Sequence, residues 1–194
     1  MKIFRKIKNV IEGYKAANDI QNRPTSMVLI LTKRCNSNCI MCNIWQQKDF
    51  REELTLADYY YFFSNPFLKN IDSVMISGGE ATLSPILIDV IQIMVTQLPN
   101  LKYLSLATNA LNYSLVTDKI IKIIHVIKRK SIHFYVQVSL DGFAKEHDMI
   151  RGKKGAYACA MRILDFLENL KKEYPKLTYY IFSVIQKKNI NAFY

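Results

Sequence analysis

Three cysteines fall in the run Thr32-Lys33-Arg34-Cys35-Asn36-Ser37-Asn38-Cys39-Ile40-Met41-Cys42, a C-x3-C-x2-C cluster directly after the apolar segment Met27-Val28-Leu29-Ile30-Leu31. Thiolates are soft ligands suited to iron–sulfur clusters, zinc or Cu(I). A [4Fe–4S] cube ordinarily takes four cysteines, one per iron. Three clustered thiolates therefore leave one iron open to bind and activate a ligand. A structural zinc site needs a fourth nearby ligand to close its tetrahedron. The remaining cysteine, Cys159, lies far along the chain, and no histidine falls between Pro24 and Pro99. The spacing favours an open cluster over a closed metal clip.

The elements that must position this loop are legible as alternating patterns. Apolar, strand-like runs cover residues 27–32, 71–77, 102–107, 133–140 and 178–185, with helical patterns between them at 56–63, 85–97, 115–130 and 157–173. Several of the strands read as continuous apolar runs, as strands buried on both faces should. Alternating β and α units predict an α/β fold with a parallel sheet and right-handed crossovers. Such folds place their chemistry at the C-terminal ends of the strands. A doubly wound nucleotide-binding fold would want a glycine-rich turn after its first strand; here that loop carries cysteines and no glycine.

Three further segments follow the later strands in order. Ser77-Gly78-Gly79-Glu80 comes after the second, Ala107-Thr108-Asn109-Ala110 after the third, and Ser139-Leu140-Asp141-Gly142 after the fourth, continued by Glu146-His147-Asp148 and Ile150-Arg151-Gly152. Together with C-x3-C-x2-C they resemble the motifs of radical S-adenosylmethionine (radical SAM) enzymes, in the subgroup of molybdenum-cofactor biosynthesis enzymes and peptide-modifying maturases. The resemblance runs from about Pro24 to Tyr194. It implies a partial (β/α)6 TIM-like barrel, with Cys35, Cys39 and Cys42 on a [4Fe–4S] cluster and S-adenosylmethionine on its open iron. It further implies Gly78, Gly79 and Glu80 at the methionyl amine and Arg151 at the methionyl carboxylate, with Ser139 and Asp141 toward the ribose hydroxyls. Asn109 stands either on the cofactor or in a tight turn. The reaction implied is reductive cleavage of SAM to a 5′-deoxyadenosyl radical, fed by a flavodoxin- or ferredoxin-like donor and spent on a peptide or small-molecule cofactor precursor.

The individual residue types suit those roles. Glycines let backbone groups approach a ligand closely, and arginine pairs bidentately with a carboxylate as lysine does not. His147 and Asp148 are read as structural hydrogen-bonding groups, Trp45 as core, and Cys159 as a small buried hydrophobe. Met41, Ala81 and Ala110 depart from the usual family residues without removing a ligand.

Composition sets outer bounds. The 194 residues carry 27 Lys and Arg against 16 Asp and Glu, a formal charge of +11, and are half hydrophobic. The basic residues are scattered, which describes a solvated surface better than a nucleic-acid face, and three cysteines in one loop read as cytoplasmic metal chemistry, not a disulfide framework. Residues 1–23 place Ile3, Phe4, Ile7, Val10, Ile11 and Tyr14 at helical spacing among lysines, predicting an N-terminal amphipathic helix packed on a core of residues 24–194 without membrane insertion. The family's sixth strand finds no counterpart, so the barrel is expected to be truncated after strand five, whose apolar edge a missing C-terminal half or a partner chain would cover. Two other readings are a fragment that binds cluster and SAM without turnover, and a zinc-binding nucleic-acid module.

Overall fold

The computed structural model describes residues 23–193; the expected N-terminal helix lies outside the described residues. Five strands, β1 (Ser26–Thr32), β2 (Ser73–Gly78), β3 (Tyr103–Thr108), β4 (His133–Ser139) and β5 (Leu177–Phe182), form one sheet in the order β1-β2-β3-β4-β5, every neighbouring pair parallel. Helices α1 (Leu56–Phe63), α2 (Leu87–Gln97), α3 (Tyr113–Ile127), α4 (Lys145–Arg151) and α5 (Ala156–Glu173) fill the crossovers. This is an open, partial α/β barrel.

One face of the sheet is the core. Val74 and Ile76 of β2, Leu104 and Leu106 of β3, and Phe134, Val136 and Val138 of β4 are all fully buried, against Val90, Ile91 and Met94 of α2, Ile120 and Ile123 of α3, and Ile163 and Leu167 of α5. The opposite, concave face is only half covered: Val28, Ile30, Tyr103, Tyr180 and Phe182 are exposed. The strands therefore alternate between buried and half-buried positions, where the apolar runs suggested burial on both faces. The difference comes from the open barrel: the concave side meets no second layer of helices among the described residues.

Local side-chain caps set two of the helix starts. Thr55 and Asp58 form a reciprocal capping box on α1, and the Asn112 carboxamide accepts from Leu115 N–H on α3. The short α4 had no counterpart in the periodicity, because its seven residues make barely two turns and only His147, Ile150 and Arg151 are buried. It ends at Gly152 in the left-handed conformation (φ +60°). The Asp148 carboxylate then accepts from Gly155 N–H at 2.6 Å and Tyr157 N–H at 2.8 Å, capping α5 from outside the helix. After β5 the chain closes in a short 3-10 turn, Ile190–Phe193.

Because Asp148 satisfies two half-buried donors at once, Asp148→Ala is expected to lower stability by about 1–2 kcal/mol. Urea unfolding would check this, and an unchanged midpoint would remove Asp148 from the capping role.

Candidate functional site

The loop after β1 carries Cys35, Cys39 and Cys42 across the C-terminal end of the sheet. Backbone contacts hold it on two sides. On one side Gly79 N–H donates to Thr32 C=O and Glu80 N–H to Arg34 C=O, each at 2.8 Å. On the other, Asn38 N–H donates to Arg151 C=O at 3.1 Å and Ile40 N–H to Ile150 C=O at 2.9 Å. The loop thus takes up carbonyls that the end of α4 leaves without helical partners. A Cβ at Gly78, Gly79 or Gly152 would collide with the Thr32, Arg34 or Asn38 carbonyl oxygen respectively. These glycines are required by the approach of the cysteine loop itself. The base of the loop is braced further by Glu53, which accepts from Thr32 Oγ1 (2.5 Å), Lys33 N–H (3.1 Å) and Arg34 Nε (3.3 Å).

A single cleft gathers most of the candidate residues. Cys35, Cys39, Cys42, Gly78, Gly79, Asn109, Ser139 and Arg151 all line it, with Met41, Trp45, Gln137, Phe182 and Val184. Trp45 is half-buried in the cleft wall, not in the core where its apolar surface suggested it would lie. Cys159 is likewise half-buried, not fully enclosed.

Glu80 and Asp141 stand one layer behind the cleft. Glu80 is fully buried, and its carboxylate accepts from Thr82 Oγ1 (2.7 Å), Thr82 N–H (3.2 Å), Thr108 Oγ1 (3.0 Å) and Asn109 N–H (2.6 Å). Burial pushes its pKa up, while these hydrogen bonds pull the other way. The carboxylate ties the end of β2 to the end of β3. Asn109 donates to Asn36 Oδ1 at 2.8 Å, accepts from Leu111 N–H at 3.0 Å, and sets its Nδ2 3.8 Å from Cys35 Sγ. Ala110, next to it, has φ +61°, which explains why glycine is the easier residue after Thr-Asn.

Asp141 is wholly buried. Its Oδ2 lies 2.7 Å from Arg151 Nη2 and its Oδ1 accepts from Val184 N–H at 2.8 Å. Arg151 Nη1 in turn sits 3.7 Å from Cys39 Sγ, which Ser37 Oγ approaches to 3.1 Å. Sequence reasoning passed over Ser37, Asn36, Gln137 and Asn189; Ser37 and Asn36 were visible as polar residues between the cysteines, whereas Gln137 and Asn189 carry no motif.

Among the described residues no three His, Cys, Asp or Glu side chains converge on the position of one metal ion, as a tetrahedral zinc clip requires. A cubane takes each thiolate on a different iron. Three thiolates spread around one cleft, with amide, hydroxyl and guanidinium donors at the sulfurs, fit that second geometry. Burial pushes the Cys35 thiol up, so a bound cation is what would hold it as thiolate.

The fold and cleft together define an open α/β barrel with a cysteine-lined site at the C-terminal strand ends. The radical SAM superfamily profile matches residues 29–192, and the chain belongs to that superfamily, whose enzymes use a [4Fe–4S] cluster and S-adenosylmethionine. It is 26% identical over 141 residues to the sporulation killing factor maturation protein SkfB of Bacillus subtilis (strain 168), covering 73% of this chain and 32% of that protein. It is 32% identical over 146 residues to the Fe-coproporphyrin III synthase of Methanosarcina barkeri (strain Fusaro / DSM 804), covering 68% and 31%. The chain thus spans about a third of the length of these curated relatives. Among solved structures, Streptococcus suis SuiB bound to the precursor peptide SuiA superposes with a TM-score of 0.61 at 14% identity, over 97% of this chain and 40% of SuiB. The anSMEcpe structure with bound AdoMet and a Cp18Cys peptide gives 0.59 at 20% identity, over 88% and 47%. At those identities the likeness establishes the fold.

His147 has the structural role expected of it: buried, with Nδ1 accepting from Asp141 N–H at 2.9 Å. Burial, and then the Arg151 guanidinium, lowers its pKa from 6.5 to about 4, against smaller opposing effects of Asp141 and Asp148. Between those two values the unfolded chain binds more protons than the folded one, so stability rises with pH across that window and is lost as pH falls toward 4. The full effect is on the order of 3 kcal/mol. Thermal melts from pH 4 to 7 are expected to show this slope in wild type and a flatter one in His147→Gln; parallel slopes would mean that another group titrates.

Proposed function

We propose that this chain is the cluster- and SAM-binding core of a radical SAM enzyme acting on a peptide. The observation that carries the reading is the convergence of Cys35, Cys39 and Cys42 with Gly78, Gly79, Ser139 and Arg151 on one cleft at the strand ends. When bound, a [4Fe–4S] cluster supplies the electron that cleaves the sulfonium carbon–sulfur bond of SAM, releasing methionine and a 5′-deoxyadenosyl radical that takes hydrogen from the substrate.

The chain's own residues bind, orient and shield. Cys35, Cys39 and Cys42 would hold such a cluster through their thiolates, three ligands for four irons, which would leave a place for the methionyl amine and carboxylate. Gly78 and Gly79 present the backbone edge of β2 to the amine. Glu80, behind them, fixes that edge to β3. Arg151, nine-tenths buried and aimed into the cleft, takes the carboxylate. Ser139 faces the ribose hydroxyls, Asn109 orders the turn beside Cys35, and Asp141 acts on Arg151. Met41 and Trp45 exclude water from the cluster side, with the Met41 thioether against adenine.

A peptide substrate is supported by the names of the relatives, one a maturation protein and one solved with a precursor peptide; the Fe-coproporphyrin III synthase keeps a cofactor precursor as the second choice. Phe182 and Val184, on the far wall of the cleft, are the substrate-side surface. A flavodoxin- or ferredoxin-like protein is the proposed reductant. The four cysteines are unpaired, which suits the reducing cytoplasm, and no described helix is long and apolar enough to cross a membrane. Among the described residues the sheet edges β1 and β5 are unpaired, which favours completion of the barrel by further protein.

Anaerobic reconstitution with iron and sulfide, followed by SAM cleavage under dithionite, tests the proposal. Wild type is expected to form 5′-deoxyadenosine and Cys39→Ala none. Arg151→Lys is expected to raise the KM for SAM about tenfold, since lysine cannot reproduce the bidentate pair. A loaded cluster without cleavage would point to a core that needs the rest of a longer protein. Zinc in place of iron in the folded chain would overturn the reading.

A further inference from the structure

Asp141 is held through its main chain and one carboxylate oxygen by hydrogen bonds, and through the other oxygen by the Arg151 ion pair. Its N–H donates to His147 Nδ1, its carboxylate spans Val184 N–H and Arg151, and its carbonyl accepts from Asn189 Nδ2 at 2.9 Å. Asn189 is 1% exposed, and both its amide hydrogens and its oxygen are engaged. Its Nδ2 also donates to Val184 C=O at 2.9 Å, and its Oδ1 accepts from Gln186 N–H at 2.7 Å. One carboxamide therefore closes the 184–189 turn on itself and fastens that turn to Asp141. The same turn supplies the Val184 N–H that aims the Asp141 carboxylate. Both oxygens of Asp141 are placed by this arrangement, and through the second so is the guanidinium of Arg151.

We propose that Asn189 is a positioning residue of the SAM site, acting on Arg151 through Asp141. The inference rests on the reading above, in which Arg151 receives the methionyl carboxylate. It extends the site to the turn after β5, a segment that contributes no motif and that reaches the arginine only through a buried aspartate. The chemistry is specific to a carboxamide. Alanine would remove the partner of the buried Asp141 carbonyl and of the part-buried Val184 carbonyl and Gln186 N–H. Aspartate would keep the acceptor but set a carboxylate against two carbonyl oxygens. With either change the 184–189 turn is released, Val184 N–H moves off Asp141, and the guanidinium loses its fixed partner.

A ligand that lacks the carboxylate separates this role from general support of the fold. Reconstituted wild type and Asn189→Ala are titrated with SAM and with decarboxylated SAM, alongside iron content per chain. The variant is expected to bind SAM about tenfold more weakly, the size of effect typical of outer residues that orient a ligand-binding group, with its affinity for decarboxylated SAM and its iron content unchanged. Equal weakening toward both ligands, or none toward SAM, would overturn the proposal. Should Asn189→Ala not accumulate as folded protein, the isosteric Asn189→Asp is put through the same comparison, with the same selective loss expected. Wild type that binds both ligands equally well would instead show that Arg151 does not hold the carboxylate, which removes the reading on which the inference stands.

Discussion

A loop that gives up its side chains to a metal cluster must be held in place by its backbone, and this constraint organises the molecule. Residues 32–40 are clamped by four main-chain hydrogen bonds, two from the end of β2 and two to the end of α4. Those bonds require main chain to approach main chain at distances a Cβ would block, so glycine stands at 78, 79 and 152. Gly79 and Gly152 lie far apart in sequence yet do the same thing on opposite sides of one loop. The cysteines then emerge at the mouth of the sheet on a backbone that these bonds fix. Preorganisation of this kind lowers the entropic cost of closing a site around its ligand.

Two buried acids complete the clamp. Glu80 is surrounded by hydroxyl and amide donors and has no cationic partner among its hydrogen bonds; four donors from three residues offset the cost of its desolvation. Asp141 is balanced differently, by the Arg151 guanidinium. A buried ion pair is weak evidence for stability, and a pair that faces a cleft is better explained by what it orients. The aspartate leaves Arg151 with donors turned toward Cys39 and the cleft, ready for a second anion. Burial of the pair also keeps water from competing for the guanidinium.

Much of this was readable from residues in order. Among the described residues, alternating apolar runs and amphipathic stretches located all five strands and four of the five α-helices, because each long element carries its own periodicity. The C-x3-C-x2-C run and the three later motifs landed at successive C-terminal strand ends, as parallel topology demands. α4 escaped because a seven-residue helix has too few turns to show a period, although its residues were singled out as a motif. The burial of Glu80 and Asp141 behind the cleft was also hidden: an acidic residue in a loop looks the same whether it faces a ligand or a neighbouring backbone amide. Asn189 was invisible for a related reason. Its importance comes from three backbone partners brought together by β4 and β5, and no local pattern announces such a meeting.

The site therefore has two walls of different construction. The wall from β1 to β3 is continuous: the cysteine loop, the Gly78-Gly79 edge and the Asn109 turn are joined through Glu80 and through the Asn109–Asn36 pair. The wall from β4 to β5 is a relay, in which the 184–189 turn holds Asp141, Asp141 holds Arg151, and only Arg151 reaches across to Cys39. A continuous wall suits the groups that must hold a cluster at fixed separations. The guanidinium is thus the point where the two walls meet, paired with Asp141 on one side and 3.7 Å from the Cys39 sulfur on the other. Phe182 and Val184 stand on the relay side, so the residue whose N–H aims Asp141 is itself part of the cleft wall.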